Sequence, residues 1–230
     1  MRSRHDNAAL AALGYWLPSV SVVSPAARRV LGVRARVDDP HGVGLTFDDG
    51  PHPEGTPAIL EALGGKPAVF FLAGEQVERY PALARRIVES GHEVGVHCSR
   101  HRNLMRLLPR QVEADLTRAA SAIEDATGQV PRLYRPPYGI LTTAALRAAR
   151  KRGWETVLWE RDGRDWRADA TAESISSRVL RGVSGGEIVV LHDADHYSAP
   201  GSWRRTAAAL PLILDELDGR GLRPVAVYER

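Results

Sequence analysis

Seven short apolar runs that read as strands, alternating with six stretches of helical periodicity, predict an α/β fold. Repeated strand-helix alternation calls for parallel strands joined by right-handed crossovers, which leaves a doubly wound sheet or a closed barrel. Five short polar motifs follow five different strand-like runs, from the first to the sixth. Their side chains converge only if the carboxyl ends of those strands are carried round a common axis, so the expectation is a (β/α)7 barrel.

The strand-like runs are residues 43–48, 68–73, 93–97, 132–135, 156–159, 187–192 and 223–227. Most are rich in Val, Leu, Ile and Phe, as strands covered on both faces are. The helical stretches are 56–63, 76–90, 110–127, 142–152, 172–181 and 203–217, with apolar residues at three- and four-residue spacing. Gly91, Gly128 and Gly153 close three of them, as a left-handed C-terminal cap requires. No internal repeat and no linker-like break interrupts residues 42–230, which read as one domain.

Residues 1–41 are set apart. Met1-Arg2-Ser3-Arg4 precedes an apolar stretch over residues 8–23, in the manner of an export signal. Pro18 interrupts it, no small-x-small cleavage site follows, and it falls short of the roughly 20 residues that cross a bilayer. The segment is expected either to pack on the main domain or to lie on a membrane surface. Cell envelope or membrane-associated location is favoured, with a cytoplasmic one left open.

The chain has 230 residues, 43% hydrophobic and 26% charged, the composition of an ordered globular protein rather than a disordered one. A net charge of +3 permits an anionic polymer as partner without demanding one, and no nucleic-acid motif is present. The single cysteine, Cys98, excludes an intrachain disulfide and is silent on compartment.

The motifs are Thr46-Phe47-Asp48-Asp49-Gly50-Pro51, His97 to His101, Arg135-Pro136-Pro137-Tyr138-Gly139, Asp162 to Trp166, and Leu191-His192-Asp193. His97 and His101 stand four residues apart, a separation that lets two imidazoles face one ion if the backbone makes one turn. Adjacent carboxylates at a strand end cannot point the same way, so one of Asp48 and Asp49 can bind an ion while its neighbour stays free as a base. Two histidines and one carboxylate leave coordination positions for water and substrate, as a catalytic metal site needs.

With Thr56-Pro57-Ala58-Ile59-Leu60, Ala68-Val69-Phe70-Phe71, Tyr80-Pro81 and Gly91-His92-Glu93-Val94-Gly95, these motifs resemble in type and order those of the NodB-homology polysaccharide deacetylases, carbohydrate esterase family 4. The resemblance covers roughly residues 42–228. It implies a distorted, seven-stranded (β/α) barrel and a metal-dependent hydrolase that removes N-acetyl groups from N-acetylglucosamine units of a glycan, peptidoglycan or chitin-like. It further implies that Asp49, His97 and His101 bind one divalent ion, Zn2+ or else Co2+ or another. Asp48 would be the general base, His192 the general acid, Arg135 the partner of the base, and Asp165 the group that orients the catalytic histidine. The Tyr138 backbone N–H would face the oxyanion, and Trp166 and Val190 would form the acetyl-methyl pocket. The enzyme is expected to act as a monomer.

Other readings stay open at this stage. Trp166 and Val190 are ordinary core residues in many barrels, and Arg135 before two prolines suits a surface loop. Cys98 stands where the family usually has Ser or Thr, Arg102 where proline is frequent and Val69 where threonine is common. Cys98 reads as a small buried filler, with a fourth ligand or an oxidation-sensitive thiol as alternatives. His5, His41, His52, His92 and His196 have no ligand-like spacing, and Trp203, Tyr197 and Trp16 are candidates to stack on sugar rings. Two further functions compete with the deacetylase: a catalytically silent carbohydrate-binding barrel, and a hydrolase of non-sugar cyclic amides on the same fold.

Overall fold

A computed structural model describes residues 24–228. The apolar stretch over residues 8–23 lies outside them. Among the described residues nine strands form one sheet: β1 (Val33–Arg34), β2 (Gly42–Asp48), β3 (Val69–Ala73), β4 (Glu93–Cys98), β5 (Leu133–Tyr134), β6 (Glu155–Val157), β7 (Arg161–Asp162), β8 (Ile188–His192) and β9 (Arg223–Pro224). Their order is β1-β6-β5-β4-β3-β2-β8-β7, with β9 added beside β2. Every pairing of these strands is parallel. The helices are α1 (Pro25–Val30), α2 (Gly55–Leu63), α3 (Gly74–Arg79), α4 (Pro81–Glu89), α5 (Pro109–Thr127), α6 (Thr143–Lys151), α7 (Ala172–Leu180) and α8 (Ser202–Gly219). None is long and apolar enough to cross a membrane among the described residues.

Alternation along the strands sorts the core into two layers. Leu45, Phe47, Phe70, Leu72, Val94, Val96, Tyr134, Val189 and Leu191 face outward and pack with apolar side chains of the helices. Each fully buried Leu or Phe of this kind contributes about 1.5–3 kcal/mol. The intervening residues face inward. Val69, Phe71, Leu133, Val157 and Ile188 meet Val37 and Val227 in a second, smaller cluster that fills the barrel. One step further along the same inner face come Thr46, Arg135 and Val190, and then Asp48, His97 and His192 at the strand ends. The apolar interior is therefore the floor of a polar rim. Gly95 belongs to this floor: a Cβ there would lie 2.7 Å from the Phe71 ring.

Three features depart from the sequence expectation. Two short strands, β1 and β7, join the seven anticipated ones. Arg34 carries on from β1 toward Arg36, which bridges antiparallel to Glu187, and Val37 N–H donates to the Gly186 carbonyl at 2.8 Å, so this segment closes the ring at the end opposite the site. The barrel accordingly begins upstream of Gly42. The expected helix over 76–90 is broken at Tyr80 (φ −131°, ψ 55°), because Pro81 disfavours helical geometry in the residue before it. The expected strand over 223–227 pairs only through Pro224, after which Val225 and Val227 turn into the barrel.

Packing of residues 33–41 on the barrel is testable at Gly185, where a Cβ would overlap the Pro40 carbonyl. Gly185→Ala is expected to cost about 1–3 kcal/mol of unfolding free energy. A urea midpoint equal to that of wild type would contradict the contact.

Candidate active site

The rim is assembled from the loops that leave β2, β4, β5, β7 and β8. Asp49 follows β2 with a left-handed backbone, φ 80°, so the chain turns sharply and its carboxylate joins that of Asp48 on the same end of the barrel. A non-glycine residue held there costs on the order of 1 kcal/mol, which marks the turn as built for a purpose. The next residue is glycine for a steric reason: a Cβ on Gly50 would overlap the Asp193 carboxylate. Thr56 donates to that same carboxylate, tying the β2 loop to the β8 loop, and burial pushes the Asp193 carboxyl up to about 7.

Asp49 Oδ1 lies 3.4 Å from His97 Nε2 and 3.5 Å from His101 Nε2, with all three side chains buried. His97 Nδ1 is 2.9 Å from the Arg135 carbonyl, which accepts a hydrogen bond only if that nitrogen carries the proton. His97 Nε2 is then the atom turned toward Asp49. Burial pushes His101 down to about 4, so that ring is neutral near pH 7. Burial works against the charge on Asp49, but His97, with His192 and His101, outweighs it and holds the carboxyl at about 2. The Nε2 atoms of both imidazoles and an Asp49 oxygen with no other hydrogen-bond partner among the described residues thus converge. That set suits a divalent cation, to which it can offer two nitrogen donors and one oxygen.

Two ion pairs flank this triad. Arg135 is wholly buried, not a surface side chain: its Nη1 donates to Asp48 Oδ1 at 2.8 Å and to Thr46 Oγ1 at 2.6 Å. The remaining donors reach the carbonyls of Val157 and Leu158, both at 3.3 Å, and the guanidinium lies 4.1 Å from the Phe71 ring centre. Across the rim, Asp165 Oδ1 accepts from His192 Nδ1 at 2.8 Å. Its Oδ2 accepts from the His192 backbone N–H and from Thr206 Oγ1, each at 2.7 Å. Burial opposes charge on His192, yet Asp165, aided by Asp49 and Asp48, raises the imidazole to about 10. It is therefore protonated at neutral pH.

The other expected residues fall around this centre. Tyr138 has a left-handed backbone, φ 59°, and its ring is 60% exposed and edge-on to His101 at 4.5 Å. Trp166 is 42% exposed, which argues against a core role. Val190 is buried one inner-face position below His192. Cys98 is buried and its thiol is pushed up by burial, as a filler would be, and its sulfur stands outside the ligand cluster. Trp203 is buried beside His52 rather than displayed to a sugar, and Trp16 lies outside the described residues.

Some contributors were missed by sequence reasoning. Asp115, buried on α5, accepts from the backbone N–H groups of Ser99 and Arg100 and from Arg102, and so fixes the loop that carries His101. An acidic residue on the apolar stripe of α5 was its one signal, and Arg102 in place of proline is its partner. Thr206, behind Asp165, had no signal at all. A second cluster, His52, Asp195 and His196, has ligand-like geometry. Its donors are already committed: His52 Nδ1 accepts from the Glu54 and Gly55 N–H groups and its Nε2 lies 3.1 Å from Asp195, whose other oxygen accepts from Gly201 N–H. This cluster latches the β2 loop to the β8 loop.

Residues 35–157 match the family model described as polysaccharide deacetylase. A peptidoglycan-N-acetylglucosamine deacetylase of Bacillus cereus (strain ATCC 14579) is 36% identical over 191 residues, spanning 81% of this chain and 86% of that protein. A chitooligosaccharide deacetylase of Bradyrhizobium sp. (strain ANU 289) is 39% identical over 207 residues, spanning 84% and 93%. Among solved structures, the Bc1960 peptidoglycan N-acetylglucosamine deacetylase, crystallised with a hydroxamate-type benzamide, superposes with a TM-score of 0.79 at 29% identity, over 88% of this chain and 94% of that one. Fold, motif order and these similarities agree, and the chain belongs to the polysaccharide deacetylase family, the NodB-homology group of carbohydrate esterase family 4.

Proposed function

We propose that this protein is a metal-dependent N-deacetylase acting on N-acetylglucosamine units of a peptidoglycan- or chitin-like glycan. The observation that carries the reading is the convergence of Asp49, His97 and His101 between two differently tuned groups, a carboxylate paired with Arg135 and an imidazolium paired with Asp165. The cation in this reading is zinc, with cobalt or another divalent ion able to take the same donors. When bound it polarises the amide carbonyl and makes a water molecule acidic enough to lose a proton near neutral pH.

The side chains divide the proton transfers. Asp48, oriented by the hydrogen bond it accepts from Arg135, takes the proton of the attacking water. His192, kept charged by Asp165, gives its proton to the departing amine, without which the C–N bond would have to expel an unstable amide anion. The Tyr138 backbone N–H is the donor proposed for the oxyanion, a contact that typically contributes on the order of 3 kcal/mol. Trp166 and Val190 are proposed to enclose the acetyl methyl. The silent-barrel reading is disfavoured because each base, acid and ligand position is filled, and the cyclic-amide reading because the two relatives described above are named for glycan deacetylation. Acetate release from chito-oligosaccharides and from peptidoglycan tests the assignment, and no release from either would overturn it.

Asp48→Asn keeps the size of the side chain and a hydrogen bond to Arg135 but removes the base. It is expected to lower kcat at least about 100-fold while metal content by mass spectrometry stays near wild type. A near-wild-type kcat would remove Asp48 from the role. Asp165→Asn takes away the charge that raises His192, so the imidazolium loses its proton at lower pH. The alkaline limb of the kcat/KM profile should move down by at least about one unit, and an unmoved limb would contradict the pairing. For the acyl pocket, N-propionyl substrates should lose about 1–3 kcal/mol relative to N-acetyl in wild type, and Trp166→Ala should shrink that gap. Equal acyl preference in both enzymes would remove Trp166 from the acyl site.

A further inference from the structure

We infer that Tyr197 is the positioning residue for His101, holding the imidazole with its Nε2 toward Asp49 by stacking on the ring face. The inference rests on the reading of Asp49, His97 and His101 as a cation site. It starts from an asymmetry between the two histidines. His97 has its second nitrogen anchored on the Arg135 carbonyl at 2.9 Å, which fixes both tautomer and ring orientation. His101 Nδ1 is buried and has no hydrogen-bond partner among the described residues. Metal-binding histidines are ordinarily oriented by a hydrogen bond at that nitrogen, so in His101 something else must stop rotation about the Cβ–Cγ bond.

Ring packing supplies it. The Tyr197 ring lies parallel to His101, with centres 4.6 Å apart and planes 12° from coplanar. Tyr138 closes in edge-on from another side, but it is a largely exposed rim residue. Tyr197 is tied down at its far end: its hydroxyl donates to Glu75 Oε1 at 2.6 Å and accepts from the amide of the buried Gln76 at 3.2 Å. A line of contacts therefore runs from the start of α3 through Tyr197 to His101, and rotation of the imidazole would have to displace an anchored ring. The same packing answers the expectation that Tyr197 stacks on a sugar. One face of its ring is covered by His101, and His196 stands 6.0 Å away at 61°.

The test measures cobalt affinity, by competition with a chromophoric chelator, for wild type, Tyr197→Phe and Tyr197→Ala, alongside the cobalt absorption spectrum and kcat and KM for acetate release. Tyr197→Ala is expected to bind cobalt at least about tenfold more weakly, with an altered spectrum and a kcat that recovers as metal is raised. Tyr197→Phe keeps the stacked ring but loses the anchor at its hydroxyl, and should fall between wild type and Tyr197→Ala, which separates positioning from loss of fold. Equal cobalt affinity and spectrum in wild type and Tyr197→Ala would overturn the inference, as would a rise in KM alone, which would make Tyr197 a substrate contact. A wild-type protein that binds no cobalt would overturn the cation site itself, and this inference with it.

Discussion

The buried guanidinium of Arg135 is the interaction on which the site depends. Taking an arginine fully out of water is affordable only when its charge is matched and its nitrogens find acceptors, and here Asp48 matches the charge while Asp48, Thr46 and the Val157 and Leu158 carbonyls give each nitrogen at least one acceptor. Removing one partner of such a pair typically costs about 3–5 kcal/mol, because the other is left buried and uncompensated. The side chain thereby ties the ends of β2, β5 and β6 together. The main chain of the same residue does a second job, since its carbonyl orients His97. Asp48 and His97, the proposed base and ligand, are in this way registered to one another through a single residue, with Phe71 and the apolar floor beneath it.

His192 and Asp165 form the counterpart on the other side of the rim, and the contrast between the two pairs is what separates their chemistry. Asp48 faces the Arg135 guanidinium. His192 faces the Asp165 carboxyl group, which raises the imidazole against the burial that would otherwise strip its proton. Between them the Asp49 carboxylate and the Nε2 atoms of His97 and His101 converge on one point.

Much of this was legible in the sequence because barrel strands write their two faces alternately. Asp48, His97, Arg135 and His192 sit at inward positions two residues beyond inward neighbours such as Thr46, Gly95, Leu133 and Val190, so strand ends and motif order together located the site. Contacts made across the fold left no such trace. Asp115 acts on His101 from the middle of a helix, Thr206 acts on Asp165 from another, and Tyr197 reaches His101 from the β8 loop. Each joins separate segments of the chain, and apart from the acidic residue on the apolar stripe of α5 no pattern within one segment points to it. The closing segment at β1 was missed for a different reason: two paired residues are too few to show a period.

The central claim is that one divalent ion, held by Asp49, His97 and His101, is what the surrounding groups are arranged to serve. Its most direct test is a titration of metal-depleted enzyme with zinc in which bound zinc and acetate release from a chito-oligosaccharide are recorded together. Activity is expected to rise in proportion to occupancy and to level off at one ion per chain. Full activity in the metal-free enzyme, or saturation with zinc that brings no acetate release, would contradict it.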